Sequence, residues 1–243
     1  VVSPPFAPVT RRAPVALVAH TPFWMFNQAK ELRRRGWDVS LFTATPRWRI
    51  NPAVADHIHI KLGWATGEQA LRRLTRFGLY LPNDWVWWMA RRGRSEFGDW
   101  VARQLDGIQI VDALANLGAE LVPGIRRQGG CYVCNRGSSH MLFQKAILEE
   151  EYALWSCPKP TGFPAWVVER ELYEYASADA IAVPSRFVLR TFLEQGVPAD
   201  KLHVCPYGVN LSSFSRQPRH DDRFRVRFVG TAAGRKGIGY LLE

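Results

Sequence analysis

Cysteines are scarce in this sequence, and long apolar runs are absent from it. Four cysteines among 243 residues are too few for a disulfide framework to hold a chain of this length. No segment approaches the roughly 20 apolar residues that a membrane-spanning helix needs, and the apolar run near the N-terminus is too short for a signal peptide. We therefore expect reduced thiols and a cytoplasmic protein.

Acidic residues are also under-represented. Asp and Glu number 22 against 32 Lys and Arg, which gives a formal net charge of +10. Hydrophobic residues make up 47% of the chain, which excludes a disordered protein. A basic globular surface favours nucleotide diphosphates, acidic lipid headgroups or nucleic acid. Nucleic acid is not expected, because no recognised motif or basic and aromatic sheet pattern accompanies the charge.

Two of the cysteines have the spacing of a metal or redox pair. Cys131 and Cys134 form a CxxC sequence, but no second such pair follows. They lie in an apolar run that predicts a strand, where alternation turns the two side chains to opposite faces. We therefore predict a structural role and no metal site.

Short apolar runs alternate with helix-like segments along the chain. Strands are predicted at 15–19, 39–43, 180–183 and 202–205, and Ser185 is placed to cap the helix that follows the third of these. Such βαβ units predict an α/β fold. We expect a doubly wound, mostly parallel Rossmann-like sheet with helices on both faces and ligands at the carboxyl ends of its strands.

Further elements are predicted between these units. A helix from Thr21, as its N-cap, to about Arg35 follows the first strand, and additional strands are expected at 108–111 and 131–134. The segment 84–100 combines tryptophans with arginines. It could lie at an acidic membrane surface, or pack on the sheet with its tryptophans in the core and its arginines in water; packing is the preferred interpretation.

The segment from residue 169 to residue 214 carries a family resemblance. Its motifs are Ala178-Asp179, Ile181, Val183-Pro184-Ser185, Gly196-Val197, Lys201-Leu202, Pro206, Gly208-Val209 and Phe214. This pattern resembles the hinge region of the retaining glycosyltransferases of family 4, which have the two-domain GT-B fold. Asn210 stands where that family usually has Asp.

The resemblance implies an organisation and an activity. It implies an N-terminal, acceptor-side domain at 13–216, a linker at 217–223 and the start of a truncated, donor-side domain at 224–243. The complete protein would move a sugar from a nucleotide-diphosphate sugar to an unknown acceptor, without a metal or other cofactor, while this fragment alone would be inactive. A GT-B-type nucleotide-sugar epimerase and a non-catalytic nucleotide- or membrane-binding module are the alternatives.

The resemblance also nominates site residues. The segment 135–140 is similar to an "R-G-S-x-H" loop of one branch of the family, so His140 would be the catalytic contact to the sugar or the leaving phosphate. Gly230, Arg235 and Lys236 would bind the donor diphosphate, as a loop with two cations before a helix suits an anion. The remaining cleft-lining candidates are His20, Arg136, Gly137, Ser138, Ser139, Ser185, Tyr207 and Gly208.

Overall fold

One parallel sheet forms the centre of the protein. The computed structural model describes residues 13–50, 57–67, 82–155, 163–209, 211, 214–215, 223–230 and 236–243. The seven strands lie in the order β3-β2-β1-β4-β5-β6-β7, and every neighbouring pair is parallel. They are β1 (Val15–Val18), β2 (Val39–Thr43), β3 (Ile58–Ile60), β4 (Ile110–Leu114), β5 (Cys131–Asn135), β6 (Ala180–Val183) and β7 (Leu202–Val204).

Helices connect these strands. Those used below are α1 (Trp24–Arg34), α2 (Asn83–Ala102), α3 (Val122–Arg127), α4 (Met141–Leu154), α5 (Ala165–Ser177), α6 (Arg186–Leu193) and α7 (Ile238–Leu242). The sheet order reverses between β1 and β4, and in open α/β sheets the crevice beyond such a reversal is the usual place for a ligand.

The helices lie on both faces of the sheet. Gln28 of α1 donates a hydrogen bond to Asp112 of β4, so α1 lies on the face that Asp112 shares with Leu17, its register partner in β1. Phe42 of β2 points to the opposite face and packs edge-on against Trp100 of α2. We call these the first and the second face. The predicted doubly wound α/β fold is confirmed.

The second face also carries α5 and α6. The Tyr132 hydroxyl of β5 donates to Glu174 of α5, and the rings of Tyr175 and Phe192 join α5 to α6. Side chains of β5 and β6 on this face are buried, Tyr132 and Ile181 completely. On this face, the core therefore lies between the sheet and these helices.

The structure confirms the β6–α6–β7 unit. β6 pairs with β7 in parallel. The Ser185 hydroxyl accepts a hydrogen bond of 3.2 Å from the Val188 amide, as expected of an N-cap. Gly196 adopts φ 79° just beyond the helix, the left-handed conformation that ends many helices.

Several predicted boundaries are shifted, and the starts of two elements are displaced for clear physical reasons. β4 begins at Ile110 and not at residue 108, because the Ile108 amide closes a turn onto the Leu105 carbonyl around Gly107, whose φ is 74°. The first helix begins at Trp24 without a side-chain cap. The extended residue Phe23 occupies the N-cap position there, so Thr21 does not cap the helix.

The cysteine pair has the predicted arrangement. Cys134 is buried on the second face while Cys131 is half-buried, since the two fall on alternate sides of β5. Both are free thiols, as is Cys205. No described helix combines the length and apolarity that crossing a membrane requires. Residues 217–222 of the predicted linker and Asn210 lie outside the described residues.

Candidate functional site

The carboxyl edge of the sheet gathers most of the predicted cleft residues. His20 follows β1, the loop 136–140 follows β5, Ser185 follows β6, and Tyr207 lies just beyond β7. Carboxyl ends of parallel strands meet at one edge, so these residues share a side of the domain. The Arg136 amide donates to the Ala182 carbonyl, which joins the β5 loop to the end of β6.

Gly137 allows two aromatic rings to close over this loop. The ring centroids of Trp24 and Tyr207 lie 4.4 Å apart. A Cβ added to Gly137 would meet the Trp24 ring at 2.5 Å and the Tyr207 hydroxyl oxygen at 2.6 Å. The absence of a side chain at Gly137 therefore permits the contact between α1 and the segment that follows β7.

Alanine at this glycine should destabilise the protein. We expect Gly137→Ala to lower the free energy of unfolding by about 1–3 kcal/mol, because the new methyl group must displace the packed Trp24 and Tyr207 rings. Urea unfolding of the complete protein measures this. Gly208→Ala is the matched control, since a Cβ at Gly208 meets no atom within 4 Å. Equal effects of the two substitutions would contradict the packing argument.

Arg136 is held inside the domain by a polar network. Its guanidinium donates to Glu171 at 3.1 Å, to Gln144 at 3.0 Å and to the Ser139 carbonyl at 3.2 Å. The Ser138 hydroxyl donates to the same Gln144 oxygen. This network fixes the shape of the loop, and contact of Arg136, Ser138 or Ser139 with a donor stays a prediction.

His140 is buried at the start of α4. Its residue is 2% exposed, and its ring lies 5.0 Å from Tyr175 and 4.9 Å from Phe192. Nδ1 accepts a hydrogen bond from the Leu142 amide, and the His140 amide donates to the Thr191 hydroxyl. The expected position at the end of β5 is confirmed for the loop, but the ring faces the interior. Its contact with a donor stays a prediction.

Burial also sets the protonation state of this histidine. Desolvation, aided by the charge of Arg136, lowers the pKa of His140 to about 4. The unfolded chain, with an ordinary His pKa of about 6.5, therefore binds more protons below that pH than the folded chain does. The contribution of His140 to stability is present above pH of about 6.5 and is lost as the pH falls toward 4.

His140→Asn separates this titration from the helix cap, because Asn is itself a good N-cap but does not titrate. We expect the stability difference between wild type and variant to shrink by about 2 kcal/mol between pH 7.5 and pH 4.5. Urea unfolding at the two pH values measures it. A difference that does not change with pH would mean that His140 binds a proton as readily in the folded domain as in the unfolded chain.

A buried carboxylate organises the turn after β4. Glu174 of α5 accepts hydrogen bonds from the amides of Asn116, Gly118 and Ala119 at 2.8–3.0 Å. Asn116 adopts φ 74°, a left-handed conformation that Asn tolerates better than most residues. Burial raises the pKa of Glu174 to about 7, against the opposing effect of Arg170. Glu174 was not predicted as a functional or structural residue, although α5 carries three glutamates beside an apolar strand.

Asp112 was also missed, because the predicted strand ended one residue before it. The structure places it inside β4, where Oδ2 accepts a 2.9 Å hydrogen bond from Gln28. Burial raises the pKa of Asp112 to about 6, while hydrogen bonding to Gln28 and Asn135 opposes that shift. An acidic residue within an apolar strand is the signal that could have revealed it.

The donor-side candidates lie apart from His140. Tyr240 of α7 donates to Glu151 near the C-terminal end of α4, and its ring packs edge-on against Trp155. His140 caps the other end of α4, which has 14 residues and is therefore about 21 Å long. Gly230 and Lys236 are exposed, and Arg235 lies outside the described residues. In this structure α7, which Lys236 precedes by two residues, thus contacts the far end of α4.

Metal ligands do not cluster in the described part of the chain. No group of three or more His, Cys, Asp or Glu side chains there is arranged to hold a metal ion. The candidate site consists instead of the loop 136–140, the rings of Trp24 and Tyr207, and the buried carboxylates Asp112 and Glu174, which lie on opposite faces of the sheet.

A family model matches this architecture. The model described as Glycosyltransferase Family 4 covers residues 23–213, most of the chain. The protein belongs to glycosyltransferase family 4. The matched segment runs from the residue before α1 to beyond β7, so it includes the carboxyl-edge loops described above. No curated protein sequence matches the chain.

Several solved structures are similar to this family 4 domain. TcCGT1 in complex with UDP is 9% identical with a TM-score of 0.50, and the match covers 87% of this chain and 54% of that one. UGT2 of Phytolacca americana, complexed with UDP-2fluoro-glucose and pterostilbene, is 15% identical at a TM-score of 0.45, covering 81% and 53%. A putative UDP-N-acetylglucosamine 2-epimerase from Listeria monocytogenes is 10% identical with a TM-score of 0.47, and the match covers 80% of this chain and 45% of that one.

The family match and the TcCGT1 structure identify the fold. The domain is of the GT-B type, with the parallel sheet of its N-terminal half. The chain spans about half the length of the solved structures that it matches.

Proposed function

We propose that the complete protein transfers a sugar from a nucleotide-diphosphate sugar to an acceptor. The family match over residues 23–213 carries this proposal, and the loops at the carboxyl edge of a parallel sheet support it. The acceptor would bind to the domain described above and the donor mainly to the second domain. Transfer would retain the configuration of the sugar, as in the family that the hinge motifs resemble.

The proposed chemistry depends on charge at the leaving group. Arg235 and Lys236 would neutralise the diphosphate as the glycosidic bond breaks, in place of a metal ion. Because the His140 ring is buried, it would affect the donor indirectly, by holding the 136–139 loop in place. No side chain is proposed as a covalent nucleophile, so the acceptor would attack on the face that the diphosphate leaves.

Product analysis of the complete protein tests this proposal. A panel of UDP-, GDP- and dTDP-sugars is incubated with and without candidate acceptors, in the presence and absence of EDTA. We expect acceptor-dependent release of a nucleoside diphosphate, unaffected by EDTA, with retained anomeric configuration. An epimeric nucleotide sugar formed without acceptor would instead establish the epimerase alternative. Loss of activity in EDTA would overturn metal independence.

We further propose that an aromatic patch at the start of α2 contacts an acidic membrane surface. α2 buries Met89, Ala90 and Phe97 against the domain, so the helix packs on the sheet as predicted, but the prediction that its tryptophans lie in the core is wrong for Trp85 and Trp88. However, Trp64, Trp85 and Trp88 are 42%, 64% and 53% exposed and form edge-to-face pairs at 5.2 and 6.4 Å.

Position and charge support this contact. The patch lies near the carboxyl edge of the sheet, because Trp64, which pairs with Trp88, is followed two residues later by Thr66, whose hydroxyl donates to the Ala44 carbonyl just beyond β2. Arg91 and Arg92 are exposed on the same helix, one turn beyond Trp88. Tryptophan rings suit the headgroup layer, and arginines are attracted to anionic lipids. An acceptor at the membrane would then lie near the proposed cleft.

Vesicle binding provides the measurement. We expect the complete protein to sediment with phosphatidylglycerol-containing vesicles more than with pure phosphatidylcholine vesicles, and Trp85→Ser with Trp88→Ser to weaken this by about tenfold. Tyr173→Ser, which removes another exposed aromatic, is the control. Equal binding by the double variant and wild type would exclude the patch.

A further inference from the structure

The loops after β4 and β5 lie side by side at the carboxyl edge of the sheet. Leu114 and Asn135, the last residues of the two strands, are register partners. Asn116 and Arg136 follow within two residues, so they extend from neighbouring strand ends. In the proposed function the 136–139 loop acts on the donor, and its position relative to the neighbouring loop therefore matters for the reaction.

A carboxylate of α5 joins these two loops. Oε1 of Glu171 accepts hydrogen bonds from Nδ2 of Asn116 and from the guanidinium of Arg136, the latter at 3.1 Å. The other oxygen accepts from the Tyr175 hydroxyl, one turn further along the helix. Glu171 is 1% exposed, so bulk water does not compete for these bonds. The residue therefore fixes the distance between the two loops from inside the domain.

Two other polar groups of α5 hold the turn after β4. Glu174 accepts from three amides of that turn, as described above. Arg170 donates to the Asn116 carbonyl and to the carboxylate of Glu120. Among the contacts of the described residues, Glu171 is the member of this trio that reaches the loop after β5. Loss of its charge would leave the β4 turn held and release the β5 loop from it.

Stability alone does not account for the ion pair. The side chain of Arg136 is 11% exposed, and the cost of withdrawing two charges from water offsets much of their attraction. Apolar residues of similar size would pack α5 against β5 as well as this pair does. The pair supplies geometry instead, because the planar guanidinium binds Glu171, Gln144 and the Ser139 carbonyl in fixed directions.

We propose that Glu171 is a positioning residue of the transferase, which holds the loops after β4 and β5 in the arrangement that sugar transfer requires. This inference rests on the proposed function. Reacting groups must be closely aligned, and a misplacement of about 1 Å can lower a rate roughly 100-fold. Glu171 does not itself contact the substrates; it acts through Arg136 and Asn116.

Kinetics of the complete protein test the inference. Rates are expressed per UDP-binding site, counted by calorimetry, so that a loss of folded protein does not lower them. We expect Glu171→Gln, which keeps the size of the side chain but removes its charge, to lower kcat about 10- to 100-fold. The KM for the nucleotide sugar should be unchanged, because the donor would bind mainly to the second domain.

Glu120→Gln is the matched control. It breaks the ion pair with Arg170 on the same helix but leaves the 136–139 loop bound to Glu171. Its kcat per binding site should equal that of wild type, even where its stability is lower.

Asn116→Gly guards against a folding defect in Glu171→Gln. Glycine accepts the φ of 74° at this position and leaves no charge unpaired, but it removes the bond to Glu171. We expect kcat to fall about threefold or more. Hydrogen exchange, which needs no activity, should be faster across residues 136–140 in Glu171→Gln than in Glu120→Gln.

The outcomes separate this inference from the proposed function. Equal kcat per binding site in Glu171→Gln and wild type would overturn the inference and leave the transferase intact. So would equal losses in Glu171→Gln and Glu120→Gln, because the effect would then come from stability. Wild type without transferase activity would overturn the proposed function. The exchange measurement would then decide alone, and equal exchange across 136–140 in the two variants would show that Glu171 does not hold the loops together.

Discussion

Glu174→Leu is expected to lower the free energy of unfolding by about 3–5 kcal/mol, the largest stability effect that the structure predicts. The carboxylate accepts three backbone N–H groups of the turn after β4, and Arg170 lies 3.5 Å from it. Leucine has nearly the same volume but accepts no hydrogen bond. The substitution would therefore leave buried amide donors unsatisfied and the guanidinium of Arg170 with fewer partners.

The measurement is urea unfolding of the complete protein, followed by circular dichroism. Glu169→Leu is the control, because Glu169 lies on the same helix with its side chain exposed, and we expect a change within about 0.5 kcal/mol. Glu174→Gln should cause an intermediate loss in the free energy of unfolding. Its amide oxygen can still accept hydrogen bonds from the turn, but its NH₂ group is itself a donor and cannot accept from the remaining backbone N–H groups. A loss below about 1 kcal/mol in Glu174→Leu would show that water satisfies these amides.

The sheet could be predicted because its strands are short apolar runs bounded by turn residues. β2 and β6 have the predicted limits, and Pro184-Ser185 marks the end of one strand and the cap of the next helix in the sequence itself. The order of the strands could not be obtained this way. It depends on which apolar faces meet in space, and the reversal between β1 and β4 leaves no local pattern.

The candidate site was predicted only at the level of its loops. Motifs located the segments around Gly137 and Tyr207, because glycines and strand ends are visible in a sequence. They did not show that Arg136 turns inward to Glu171, 35 residues away, or that the His140 ring packs against Phe192. Those orientations follow from long-range contacts. Asp112 was hidden for a related reason, since its role depends on Gln28 in another element.

The most direct test of the donor site is a loss of turnover in Lys236→Ala. The leaving diphosphate gains negative charge in the transition state, so removing one cationic contact should cost about 2–4 kcal/mol there, or roughly 30- to 1,000-fold in rate. Lys236 is exposed in the described structure and lies two residues before α7, so it is free to face a ligand in the complete protein. The rate of sugar transfer and the affinity for UDP should fall together.

The double variant Arg235→Ala with Lys236→Ala gives the stronger prediction, because two adjacent cations share one anion. Added salt should weaken UDP binding by wild type more than by the double variant, as screening acts on the charges that the variant lacks. Lys145→Ala is the matched control, since it removes an exposed cation that pairs with Glu149 on α4. If the double variant binds UDP as well as wild type does, the two cations do not contact the diphosphate. The anion must then bind at another loop, and the +10 charge of the chain would act only by attracting nucleotides over longer distances.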